Sequence, residues 1–134
     1  MGRKKAREAV IKILYQKEIV KTNLIELAEQ YFIENDVEES DREFVRFQIE
    51  GINKNITEID QTIKKHLKTW DFDRLSKPDL AILRNAVFEI IYRDDISESV
   101  AINEAVLLCK RYGTDDSFVY VNGILGNIVR NRGI

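Results

Sequence analysis

Arg3, Lys4, Lys5 and Arg7 crowd the start of this chain, four basic side chains within five positions. The chemistry such a block can do is the capture of a polyanion. Guanidinium groups grip phosphate oxygens in a fork, and the free N–H groups of a helix start add to the same field. Local stability does not explain the block. Positive charge at an exposed helix N-terminus is disfavoured by roughly 0.3–1 kcal/mol per group, and Arg3 and Arg7, if both helical, face each other across one turn and repel. With Lys12 and Lys17 added and Glu8 set against them, the first 17 residues balance at +5, which leaves −7 for the rest of a chain whose net charge is −2. Taken alone, the block is as consistent with a solvated tail as with a nucleic-acid contact. Tyr112 and Tyr120, near the start of the last helix, offer faces on which an unpaired base stacks, although a structural role is the plainer one for each.

Other chemistries find little support. The chain has no Gly-rich phosphate loop, no paired histidines on a helix face and no Cys-x-x-Cys. His66, the one histidine, stands at the end of a long helix without neighbouring ligands, so a partly exposed helix-end ring is the simpler reading. Cys109 is alone, which excludes an intramolecular disulfide and fits a reducing compartment; on a helix it reads as a small buried apolar residue. The carboxylates scatter over helix faces as solvated surface does. We therefore expect no catalytic residue, no metal and no cofactor. No apolar run reaches the length of a membrane span and no signal-peptide core follows the basic residues, so a cytoplasmic protein is expected.

The elements that must position these residues are helices. One proline, six glycines and 33% charged residues in 134 argue for one all-α domain with a continuous core. Periodicity gives a first helix over about residues 4–20, through Ala6, Val10, Ile13, Leu14 and Val20, and a second from Leu24. An acidic connection over residues 35–40 follows, with Ser40 or Asp41 able to cap the next helix. Val45, Ile49, Ile52, Ile56, Ile59, Ile63 and Leu67 then mark one long helix, or two with a bend within residues 51–57. Trp70 and Phe72 anchor the next connection. Ser76 caps a helix with Pro78 in its first turn and Asp79 three residues on. Ser97 or Ser99 opens another. Gly113 is the candidate left-handed stop, and the last helix spans about residues 115–129, with the end fraying. The total is six or seven helices in two small bundles, residues 1–70 and 71–134.

Val100-Ala101-Ile102-Asn103-Glu104-Ala105-Val106, then Lys110-Arg111-Tyr112-Gly113, Ser117 and Val121-Asn122-Gly123-Ile124-Leu125, resemble the signature of the NusB transcription antitermination family. Ala6-Arg7-Glu8-Ala9-Val10 with Leu14-Tyr15, and Leu75, Asp79, Ile82-Leu83-Arg84 and Glu89, match that family in order and spacing, so the resemblance spans nearly the whole chain. Asn103 and Asn122 sit among apolar positions, where an unpaired buried amide costs about 1–3 kcal/mol; we expect both to bond across helices, and Gly123 to admit a close backbone.

The resemblance implies a two-bundle helical protein that is not an enzyme. It would bind single-stranded boxA RNA together with the ribosomal protein NusE, assembling antitermination complexes with other Nus factors on RNA polymerase, including on ribosomal RNA operons. RNA contacts would fall on Arg3, Lys4, Lys5 and Arg7 and on Asp116 and Tyr120, with His66 a further base-side candidate. The family usually has Phe in place of Tyr120, and Gly126 replaces a common Asp, so no contact of that carboxylate carries over. Asp79, with Glu89 second, would face NusE across an acidic surface; a first-turn cap is the plainer role of Asp79. Relatives differ in being monomers or dimers, which leaves a homodimer open. Two other readings remain at this point: a NusB-like piece of an RNA cytosine methyltransferase, and a purely protein-binding helical module.

Overall fold

A computed structural model of the chain describes residues 3–67 and 71–132. Among these, seven α-helices follow in order: α1 Lys4–Lys17, α2 Leu24–Glu34, α3 Glu39–Lys54, α4 Ile56–Lys65, α5 Lys77–Tyr92, α6 Glu98–Tyr112 and α7 Ser117–Asn131, with a 3-10 turn over Phe72–Arg74 before α5. Three starts carry caps that local chemistry dictates. Asn23, Ser76 and Ser97 accept the backbone N–H groups of Glu26, Asp79 and Val100, each worth about 1 kcal/mol over alanine.

Several expected details are corrected. Helix α1 stops at Lys17, and Ile19 and Val20 turn back onto the Gln16 carbonyl. The start of α3 lies at Glu38, without a side-chain cap, so Ser40 and Asp41 fall inside the first turn. Gly113 has φ −94°, which is extended backbone rather than left-handed. Its glycine answers crowding instead: a Cβ there would lie 2.6 Å from Ser117 Oγ and 2.9 Å from the Cys109 carbonyl oxygen.

The long apolar stripe divides at Asn55, inside the expected window, for a visible reason. Asn55 donates both its backbone N–H and its side-chain amide to the Gly51 carbonyl, closing α3 before α4 begins. Gly51 also lets α3 approach α5, since a Cβ there would meet the Phe88 ring at 2.2 Å.

Helix α5 is the central post. Eleven of its residues are buried, eight of them apolar together with Asp79, Asn85 and Glu89, as in a helix surrounded by others. Helices α1, α2 and α3 pack on one another, α4, α6 and α7 pack on α5, and α1 and α3 also reach α5. Buried side chains from every helix form one core. Phe72 packs against it, while Trp70, the expected joint at residue 70 and residues 133–134 of the end expected to fray lie outside the described residues.

Candidate nucleic-acid interface

The basic block divides once it is folded. Arg7 points inward and is 5% exposed. Its guanidinium donates two bonds of 2.9 Å to Glu89 on α5, and Gln48 from α3 donates to Glu89 at 2.9 Å and to Asn85 at 2.7 Å. Asn85 donates to the same carboxylate, and Arg93 donates to the Gln48 carbonyl oxygen at 2.8 Å. Three helices are thus tied by one buried polar network. The expectations that Arg7 touches RNA and that Glu89 faces a partner are both corrected: each satisfies the other inside the core. Burial of one without the other would leave an uncompensated charge, which costs about 3–5 kcal/mol.

Lys4 and Lys5 remain exposed on the outer face of α1, together with Lys12. Glu8, amid them, is neutralised by Arg111 at the end of α6, 3.1 Å away. That ion pair brings the end of α6 beside the lysines, so Lys4, Lys5, Lys12 and Arg111 make one cationic crest around a single acid. Arg3 leans to the other side. It donates to the Ser40 carbonyl and, at 3.4 Å, to Asp41, and its guanidinium sits 5.0 Å from the Phe44 ring centre. Between α1 and the α2–α3 connection runs an open cleft of about 1100 Å³, with Arg3, Lys4, Lys5 and Lys12 on one wall and Asp36, Glu38 and Asp41 on the other. The acids weaken the field where these lysines face the cleft, and Arg111, outside the cleft, extends the cationic surface away from them.

The start of α7 adjoins α6. Lys110 places its ammonium 5.4 Å from the ring centre of the exposed Phe118. Asp116 stands at the N-cap of α7, exposed and making no cap bond. Tyr120 is half-buried, and its hydroxyl donates to Asp79 Oδ2. Ser117 donates to the same oxygen at 2.9 Å while accepting from the Thr114 backbone N–H. Burial, and then the bond to the Asp79 carboxylate, push the Tyr120 phenol well above its ordinary range. Asp79 is 2% exposed. It therefore anchors the 113–117 turn and Tyr120 rather than facing a partner, and its backbone N–H, not its carboxylate, completes the Ser76 cap. Nearby, Cys109 is fully buried, and burial together with the Asp79 charge raises its thiol to about 12. A thiol held neutral in this way is no nucleophile.

His66 ends α4 with Nδ1 2.9 Å from the Thr62 carbonyl oxygen. No described hydrogen bond or ion pair links it to the lysines, Asp116 or Tyr120.

Asn103, Asn122 and Gly123 overturn the packing expectation. Both asparagines are exposed, and among the described residues neither side chain has a hydrogen-bond partner and a Cβ on Gly123 would meet no atom within 4 Å. Glycine in a helix interior costs about 1 kcal/mol relative to alanine, so the fold gains nothing from it. Sequence reasoning did not single out Lys12, Lys110, Arg111 or Phe118 as candidate contact residues, although the fold groups them here. A signal existed for two of them, the Lys110-Arg111 pair in the last turn of a helix, next to an aromatic.

These features define a class: an all-helical protein whose one thiol is sealed away and which brings exposed lysines of α1, Lys110 and Arg111 of α6 and Phe118 of α7 close together. The NusB family model matches residues 4–130, and the chain belongs to that family. It is 46% identical over 130 residues to the transcription antitermination protein NusB of Acetivibrio thermocellus, covering 97% of this chain and 90% of that one. Against the NusB of Staphylococcus epidermidis strain RP62A the identity is 41% over 128 residues, covering 96% and 98%. Among solved structures, T. maritima NusB superposes with a TM-score of 0.90 at 36% identity, covering 98% of this chain and 92% of that one. A crystal structure of antitermination factors NusB and NusE in complex with dsRNA superposes with a TM-score of 0.86 at 28% identity, covering 96% of each. The function is that of a transcription antitermination factor, not of an enzyme. Among the described residues no helix is long and apolar enough to cross a membrane.

Proposed function

We propose that this protein binds unpaired boxA-type RNA together with a NusE partner in the cytoplasm, and so helps assemble antitermination complexes on RNA polymerase, including on ribosomal RNA operons. The observation that carries this reading is the cationic crest of Lys4, Lys5, Lys12 and Arg111 beside the start of α7, in a chain of net charge −2. The crest supplies phosphate contacts, which position a strand without reading its sequence. Phe118, Tyr120 and Asp116 supply the base side, with His66 as an outlying candidate. A relative crystallised with NusE and double-stranded RNA supports both partners. Exposed aromatic rings favour an unpaired strand here, because only unpaired bases are free to stack on them. For NusE, the exposed acids of α2 and α3, such as Glu26, Glu34, Glu43 and Glu50, would steer a basic protein. Tyr15, exposed farther along the crest, is the kind of aromatic that anchors a protein interface.

The test is a fluorescence titration of boxA RNA with and without NusE across a salt series. With about three or four phosphates neutralised, log K falls with log salt at a slope of roughly −2 to −3. NusE tightens binding, and duplex RNA of the same sequence competes poorly. A flat salt response with no gain from NusE would refute the reading, and NusE binding with no RNA contribution would leave a protein-binding module.

A further inference from the structure

Gly123 stands at the seventh position of a fifteen-residue helix, faces solvent, and has open space where its Cβ would be. The glycines that serve the fold look different: Gly51 is pressed by Phe88 and Gly113 by Ser117. Nothing among the described residues asks for glycine at 123, and a helix interior disfavours it. Its neighbours on the helix surface are telling. Asp116, Tyr120 and Asn127 lie seven and three residues before it and four after, so all four positions share one face of α7. Tyr120 is not free to swing over the gap, because its hydroxyl is bound to the buried Asp79 carboxylate, which Ser117 also holds. The result is an aromatic ring fixed at the N-terminal edge of a bare stretch of helix, with the exposed Asp116 one turn beyond the ring on the same face.

We propose that Gly123 is a ligand-contact position, the floor of a seat for one unpaired nucleobase packed against Tyr120, with Asp79 as the positioning residue that holds the ring. The proposal rests on the RNA-binding reading above and deepens it. The plane of the base lies across the glycine, where any side chain would lift it from the ring. The lysine crest positions the strand, and this seat contributes to the choice of base.

The test uses the full chain, a labelled single-stranded boxA RNA, and the same RNA carrying an abasic site at each position in turn. Gly123→Ala raises the thermal midpoint by about 2–4 °C, since alanine is the better helix former and meets no obstacle. The same variant binds RNA about fivefold or more weakly and binds NusE as the parent does. One abasic position costs the parent affinity but costs Gly123→Ala nothing further. Tyr120→Ala, which removes the ring, weakens RNA binding, and adding Asp79→Asn to it has no further effect on affinity. Equal RNA binding by the parent and Gly123→Ala would overturn the seat while leaving the RNA reading intact. A fall in the midpoint would assign the glycine to the fold, and a selective loss of NusE binding would assign the surface to a protein. Failure of the parent to bind RNA would remove the reading and the seat together.

Discussion

Arg7 and Lys4 are three residues apart on the same helix and do opposite work. Arg7 is sealed against Glu89, Gln48 and Asn85, whereas Lys4 stands in solvent with Lys5 and Lys12. The comparison teaches that a run of like charges need not act as one unit. A helix turns by 100° per residue, so a basic block at its start distributes its members between core and surface. The inward one must then find a buried acid, and the outward ones are left to a ligand. The same division appears at the start of α7, where Asp79 is buried as an anchor and Asp116 is exposed.

The comparison can be broken first at Glu89. Glu89→Ala strands Arg7 in the core and should destabilise the protein by about 3–5 kcal/mol, measured by urea unfolding; a loss under about 1 kcal/mol would mean that the network is wetter and weaker than its geometry implies. Replacing Lys4, Lys5 and Lys12 together by Ala should leave stability within about 0.5 kcal/mol while lowering the magnitude of the RNA salt slope by about 2. Tyr120→Phe removes one hydroxyl donor from Asp79 and should cost about 1 kcal/mol of stability, read from the thermal midpoint. The smallest effect is expected at Cys109, whose buried, neutral thiol should resist a disulfide reagent at pH 8 until the protein unfolds. Rapid labelling of the native protein would show that the α6–α7 contact opens.

Much of the fold was legible because helical order is written locally. Ser76 and Ser97 precede their apolar runs at cap spacing, and the stripe from Val45 to Leu67 announced both its length and the window where it breaks. Less of the site was legible. Arg7 and Glu89 lie 82 residues apart, and no local pattern distinguishes a cation that will meet a buried acid from one that will not. Asp79 looked like a docking carboxylate because a cap position and a family position coincide there; its burial depends on Ser117 and Tyr120, 38 and 41 residues away. Asn103 and Asn122 misled in the other direction. Apolar neighbours in sequence suggested burial, yet at 3.6 residues per turn adjacent positions face different ways, and both amides emerged on the surface. The resemblance identified the family, while the structure placed those signature residues on the surface instead of in the core.

The central claim is that the exposed lysines, and not the whole basic block, meet the RNA. Its most direct test is the salt dependence of boxA affinity for two variants compared with the parent. Lys4→Ala/Lys5→Ala/Lys12→Ala removes the outward charges; Arg7→Gln/Glu89→Gln removes the buried pair and keeps hydrogen-bonding groups in place. The account predicts a flattened slope for the first and an unchanged slope for the second. Equal slopes in the lysine variant and the parent, or a slope lost when Arg7 and Glu89 are neutralised, would contradict it.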